Sequence, residues 1–213
     1  MECIEAHTYT DIDKLIAEVK SKNADVLIES VPHEFIPQLL DESFIIHAQW
    51  MEFWLNDINT VDTSDVEYIK TSDTAAIYEI ALSCRYQSRG FTGESVEWFD
   101  NWITHKDGDI LAHYAEGVLV GFLCTKVYAH GNENGAIVWI RMVAVRPEYQ
   151  NLGIARKLII QAFKYGKDNG AKRSFLHTDR LNINARHLYE NIGFYRKFDE
   201  NDEQLDMLYK KRR

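Results

Sequence analysis

No apolar run in this chain approaches the ~18 consecutive residues that a membrane-spanning helix requires, because polar side chains interrupt even the most hydrophobic stretches. The first residues, MECIEAHTYTDIDK, lack a basic segment followed by an apolar one, so the expectation is a soluble, unexported protein with no membrane partner. Cysteine is scarce. Cys3, Cys84 and Cys124 are isolated and odd in number, which excludes a disulfide framework and any cysteine metal site, and suits reduced thiols in a cytoplasmic protein. Positive charge is also short: 33 acidic against 24 basic residues give a net charge of -9, with basic clusters only around Arg141 to Arg173 and Lys210 to Arg213. That argues against a nucleic-acid partner. Three prolines and eleven glycines leave little material for a long flexible linker.

What is present is enough for one good core. With 46% hydrophobic side chains in 213 residues, the chain can form one large domain or one domain with a smaller lobe. The polar stretch NDINTVDTSD, Asn56 to Asp65, is the best boundary, giving an N-terminal segment 1–65 and a domain 66–213. In the latter, Val66 to Ile69 reads as a short strand. Asp73 caps a helix carrying Ala76, Ile77, Ile80 and Ala81 on one face, and Glu94 to His105 form an aromatic-rich second helix. DILAHYAEG and VLVGFLCTKVYAH, split at Gly117, read as an antiparallel hairpin, and AIVWIRMVAV follows the NENG turn. After Pro147 the period changes: Ile154, Ala155, Leu158, Ile159, Ala162 and Phe163 share one helical face, which should end near Gly170. A strand SFLHTD, a helix from about Asn184 to Asn191 and closing strands FYRKFDE and QLDMLYKK complete the order β-α-α-β-β-β-α-β-α-β-β.

The N-terminal segment repeats part of that order. Helix Asp11 to Ser21, strand ADVLIES, helix HEFIPQLLDES and the run FIIHAQWMEFWL echo the α-β-α-β of Gly153 to Phe198 in pattern, not in identity. It is either a partial second copy or an unrelated α/β lobe.

The most chemical segment is VAVRPEYQNLGIARKL, where Gln150 to Ala155 form a loop and first helical turn. A helix N-terminus carries unpaired N–H groups and partial positive charge, so it receives phosphate; Gly153 and Ala155 leave those groups open, and Arg156 and Lys157 add charge. By itself, a glycine-bearing βα turn is commonly just a turn.

Two spaced signatures narrow the reading. Gln150-x-x-Gly153-x-Ala155, then Asn182, Ala185, Tyr189 and Gly193-Phe194, resemble the GNAT (GCN5-related N-acetyltransferase) superfamily, closely over Val143 to Phe194 and more loosely over Val66 to Arg213. The architecture with a partial N-terminal copy is also similar to the TDP-fucosamine acetyltransferase branch. The resemblance implies an α/β fold, a mixed, mostly antiparallel twisted sheet flanked by helices, with a small N-terminal α/β lobe extending or covering it.

It also implies a site and an activity: acetyl-CoA as cosubstrate, no metal, and direct attack of a primary amine on the thioester. Val143, Ala144 and Val145 would meet the pantetheine arm from a splayed strand. The backbone of Gln150, Asn151, Leu152, Gly153, Ile154, Ala155 and Arg156 would hold the pyrophosphate, and Asn182 or Asn184 would contact the coenzyme arm. Tyr189 would protonate the departing thiolate, a role suited to a phenol that stays protonated at neutral pH; its alternative is aromatic packing. Tyr86, Arg89 and Phe91, in the loop RYQSRGFTGE, would border the acceptor. The carboxylate that the family often supplies ahead of its Ala-Val pair is replaced by Arg141 and Met142, which leaves the general base open among His177, Asp179, Glu133 and an amine arriving neutral. The expected acceptor is a small-molecule amine, such as an amino sugar, polyamine or amino acid derivative. The rivals are a protein lysine or N-terminus, and a non-catalytic CoA-binding module. Pairing through the sheet into a homodimer is the family default.

Overall fold

A computed structural model describes residues 2–105, 108–197 and 204–210. The N-terminal segment opens with strand β1 (Glu2–Glu5), then helix α1 (Ile12–Ser21), strand β2 (Val26–Val31), the short helix α2 (Ile36–Asp41) and the long strand β3 (Ile45–Leu55). Asp11 caps α1 by accepting from the Asp13 N–H at 3.0 Å, and Leu15, Ile16 and Val19 fall on its buried face. β1 is not legible in the sequence, since ECIE is short and mostly exposed. It forms because β2 offers a parallel edge, Glu2 to Glu5 running beside Val26 to Glu29.

The remaining elements follow the expected order: β4 (Ile69–Lys70), α3 (Thr74–Ser83), α4 (Val96–Thr104), β5 (Asp109–Ala115), β6 (Val118–Tyr128), β7 (Ala136–Val145), α5 (Ile154–Asp168), β8 (Ala171–Asp179), α6 (Ile183–Ile192), β9 (Tyr195–Arg196) and β10 (Gln204–Tyr209). Asp73 caps α3 through the Ala76 N–H, and Ser95 caps α4 through the Trp98 N–H, satisfying donors that each helix start would otherwise leave open. Expected strand Val66 to Ile69 is found shifted to Ile69–Lys70. Only Tyr195–Arg196 of FYRKFDE is a described strand, and residues 198–203 lie outside the described residues.

All ten described strands join one sheet in the order β1-β2-β10-β3-β8-β7-β6-β5-β4, with β9 on β3. Only β1 with β2 and β7 with β8 run parallel, so the sheet is mixed and mostly antiparallel. β3 crosses from the N-terminal segment to lie between β8 and β10, and β10 lies between β3 and β2. Leu158, Ile159, Ala162 and Phe163 of α5 are fully buried with Phe53 of β3 and Leu176 of β8 in one cluster. Each of the larger of these side chains, Ala162 excepted, stabilises by about 1.5–3 kcal/mol relative to exposure. A second cluster joins α3 and α4 to β5 and β6 through Ile77, Ile80, Phe99, Ile110 and Phe122. The third holds α1, β2 and α2 to Met207 of β10.

Candidate active site

The site begins where β7 and β8 part. Their parallel ladder runs from Ala136 opposite Ala171 to Ile140 opposite Leu176 and ends there, while β8 continues antiparallel to β3 as far as Asp179 opposite Trp50. Arg141 to Val145 therefore face a gap. Hydrogen-bonded and non-bonded pairs alternate along an antiparallel ladder. Arg146 donates its N–H to the Val120 carbonyl, one step beyond Val145 opposite Gly121. The peptide groups of Val145 and Val143 consequently point away from β6 and into the gap. The Val145 carbonyl accepts from Gln150 Nε2 at 2.9 Å and from Cys84 Sγ at 3.1 Å, which ties the turn and the end of α3 to β7. A register shift between Cys124 and Thr125 makes Arg141 an extra residue on β7, and such a bulge re-aims its side chain.

After β7, a single 3-10 turn at Pro147–Tyr149 leads to the start of α5. Asn151 and Gly153 both have positive φ, 62° and 76°, a region that asparagine tolerates and glycine enters freely. Gly153 is the N-cap residue and supplies no side-chain cap, so the first N–H groups of α5 remain available to an anion.

Two cavities meet at this gap. One, of about 570 Å³, is lined by the β7 segment Val143, Ala144 and Val145, by the turn and α5 residues Gln150, Asn151, Gly153, Ile154, Ala155 and Arg156, and by Asn182, Asn184 and Tyr189. The other, of about 350 Å³, lies toward β2, β3 and β10 and is lined by Glu29, His47, Trp50, Arg89, Phe91, Glu94, Arg141, His177, Asp179 and Asp206, among others. Ser88, Phe91, Val143, Asn182 and Tyr189 line both. Tyr189 is 5% exposed, its ring set edge-on to Phe53 and 6.0 Å from Phe194. Burial pushes its phenol up to about 12.

The second cavity is strongly polar. Arg89 donates from Nε and Nη2 to the two oxygens of Asp179, each at 3.1 Å, and Asp179 also accepts from the Gln49 and Leu181 N–H groups at 2.9 Å. Four donors leave this carboxylate little capacity to take a proton from substrate. Arg141 donates to Glu94 at 3.2 Å and lies over the Trp98 and Trp139 rings. His177 sits 3.2 Å from Glu52, and burial, aided by the charge of Arg141, holds its pKa below the usual histidine value against the opposing pull of Glu52. Gly90 packs so closely that a Cβ there would come within 2.6 Å of the Trp50 ring.

Most residues expected at the site are brought together, but not all. Of the expected coenzyme contacts, Leu152 does not line the first cavity and is 64% exposed. Of the expected acceptor contacts, Phe91 borders both cavities and Arg89 the second, whereas Tyr86 lines neither and is 77% exposed. Glu133 lines neither cavity. Sequence reasoning missed Glu29, His47 and Asp206 entirely; the available signal was an acidic side chain inside the apolar runs VLIES and LDML. Among the described residues, no group of three or more His, Cys, Asp or Glu side chains could hold a metal ion, and no helix is long and apolar enough to cross a membrane.

Comparison with known proteins gives this geometry a family. The family model described as Acetyltransferase (GNAT) family matches residues 74–194. The mycothiol acetyltransferase of Paenarthrobacter aurescens is 37% identical over 100 residues, 47% of this chain and 29% of that protein. The mycothiol acetyltransferase of Thermobispora bispora is 36% identical over 46% of this chain and 32% of its own. The chain thus spans less than a third of these relatives' length. Among solved structures, a putative GNAT acetyltransferase from Novosphingobium aromaticivorans superposes with TM-score 0.60 at 16% identity over 92% of this chain and 79% of that one. An aminoglycoside N-acetyltransferase, AAC(6')-Iy in complex with CoA, superposes with TM-score 0.50 at 15% identity over 62% of this chain and 88% of its own. With the family model matching more than half its length, a range that includes the parted strands and the glycine turn, the chain belongs to the GNAT acetyltransferase family.

Proposed function

We propose that this protein transfers an acetyl group from acetyl-CoA to the primary amine of a small molecule. One observation carries the reading: two cavities of different character meet in the β7–β8 gap at Val143, Asn182 and Tyr189. The residues of the first cavity fit the coenzyme, because the α5 N-terminus opens onto it without a capping side chain and the gap exposes the Val143 peptide group for the pantetheine arm. Acetyl-CoA supplies the acyl group as a thioester. The Val143 N–H then stabilises negative charge developing on the carbonyl oxygen, and Tyr189 gives its proton to the departing thiolate. Asp179, saturated by donors, is not the base in this reading. His177, neutral and bordering the acceptor cavity, takes the ammonium proton directly or through water.

The walls of the acceptor cavity favour a small molecule over a protein chain. Leu27 and Glu29 of β2 and His47 and Trp50 of β3 wall it, so the N-terminal segment covers the side from which a peptide would enter. We further propose that segment 1–65 is a partial second copy of the α5–β8–α6–β9 portion of domain 66–213. In support, the segment and the domain trade last strands: β3 pairs with β8 and β10 with β2, both antiparallel.

The test is thiol release from acetyl-CoA against amino sugars, polyamines, amino acids and peptides. Release that depends on a small amine supports the reading; release only with peptides moves the acceptor to a protein, and bound CoA with no release against any amine leaves a binding module. Coenzyme binding has its own check in Gly153→Ala. A Cβ at this position meets nothing within 4 Å, so the stability cost should be only the left-handed backbone penalty, about 1–2 kcal/mol. The methyl group would project beside the open N–H groups, and CoA affinity measured by calorimetry should fall about tenfold or more, ~1.4 kcal/mol. Unchanged affinity would remove the turn from the coenzyme site.

A further inference from the structure

Three neighbouring strands lose register at one level of the sheet. Between β2 and β10, Leu205 pairs with Val31 but Met207 with Ile28, which leaves Glu29 and Ser30 out of step. On the other side of β10, Asp206 pairs with Ala48 and Met207 with Ile46, which makes His47 an extra residue of β3. Ser30 has a φ of 56° and donates its N–H to Asp206 Oδ1 at 3.0 Å. Bulges of this kind turn side chains out of the regular alternation and cluster near functional sites. Glu29, His47 and Asp206 all line the acceptor cavity.

The charges there do not cancel. Four carboxylates border the cavity; Asp179 is matched by Arg89 and Glu94 by Arg141. Among the described residues, neither Glu29 nor Asp206 has a lysine or arginine at ion-pair distance. Glu29 instead lies directly across the β1–β2 pair from Glu5, and like charges opposite one another destabilise a sheet. Burial, then the charges of Asp206 and Glu5 and a side-chain hydrogen bond with Glu5, raise the Glu29 carboxyl above its usual range, with Arg141 opposing. Asp206, 6% exposed, is raised by burial against the donors Trp50 and Ser30 and the more distant His47. Two further groups face the same space. Thr178 is 5% exposed and lines the cavity, and among the described residues its hydroxyl makes no hydrogen bond to the protein, which leaves its donor and acceptor capacity open to a ligand. The indole of Trp50, held by its N–H on Asp206 at 2.5 Å, offers a ring face of the sort that attracts cations.

We propose that Glu29 and Asp206, with Trp50 and the Thr178 hydroxyl, form a subsite for a second cationic group of the acceptor, making the substrate class diamines and longer polyamines. The proposal rests on the acetyl-transfer reading above. The amine to be acetylated lies at Tyr189 while its partner ammonium lies against β2 and β10. A carboxylate in that place would meet two carboxyl groups with no lysine or arginine partner and be disfavoured.

The experiment compares kcat/KM for a series of α,ω-diamines with n-alkylamines and ω-amino acids of matching length, using the full chain and its Glu29→Gln and Asp206→Asn variants, with CoA affinity as the measure of intact folding. The expected result is a diamine preference of about tenfold or more over the best monoamine, a further loss for the amino acid, and a diamine-to-monoamine ratio that falls to within about threefold of unity in the variants. Should Asp206→Asn fail to fold, Glu29→Gln decides alone. Equal turnover of diamines and monoamines by the unaltered protein, or variants that lose both in proportion, would overturn the subsite while acetyl transfer stands. No thiol release with any amine would overturn both.

Discussion

Tyr189→Phe should lower kcat by about 10² to 10⁴, the usual contribution of a positioned acid, with CoA affinity and Tm little changed. The phenol lies where the two cavities join, and among the described residues its hydroxyl has no hydrogen-bond partner. Removing a hydroxyl that the protein does not satisfy costs little stability, and the ring contacts with Phe53 and Phe194 survive in phenylalanine. Stability and activity should therefore separate. A residue that merely packed would show the reverse: kcat within threefold of the unaltered protein, which is the outcome that removes Tyr189 from the chemistry. The pH profile adds a second check. With its pKa pushed up to about 12 by burial, the phenol keeps its proton through the neutral and mildly alkaline range, so no alkaline loss of kcat from this group is expected below about pH 11.

Asp179→Ala should destabilise the fold by about 3 kcal/mol, the range for breaking a buried, hydrogen-bonded ion pair, which for a chain of this length lowers Tm on the order of 6–12 °C. The carboxylate is fully buried and Arg89 about one-third exposed. Its removal leaves two backbone donors, of Gln49 and Leu181, without an acceptor, each costing about 1–3 kcal/mol if water cannot reach it. Arg89, in contrast, can turn partly to solvent. Arg89→Ala is the harsher change in principle, because it strands a buried charge on two backbone N–H groups. Both variants should also raise KM for the acceptor, since Arg89 anchors the loop that brings Phe91 to the cavity junction. Thermal denaturation with a parallel Asp179→Asn variant separates support from catalysis: unchanged Tm in all three would mean the pair does not hold the loop, and lost activity at full stability in Asp179→Asn would restore Asp179 as a base.

How much of this was legible depends on the range of the interactions involved. The α5 face, from Ile154 to Phe163, was readable because a helix buries residues three and four apart, and all six of its apolar positions meet the sheet or line the first cavity. The hairpin at Gly117 was readable because Glu116 and Gly117 adopt the positive φ that a two-residue turn demands. The glycine turn before α5 had a spacing of its own, and the residues it predicted mostly converge on one cavity; Leu152 departs because an apolar side chain on the outside of the turn has no packing partner there.

Local pattern and motif spacing by themselves determined the order of elements from β4 onward, the mixed sheet with flanking helices, and the family. These are set by periodicity, caps and turn chemistry, which act within a few residues. Tertiary structure alone decided that β3 enters the sheet between β8 and β10, that β1 exists at all, and that Glu29 and Asp206, 177 residues apart in sequence numbering, share a cavity with Arg141 and His177. Strand neighbours, register shifts and the pairing of buried charges depend on which segments meet across the sheet. Since a strand's hydrophobic alternation looks the same beside any partner, the sequence pattern carries no record of that choice.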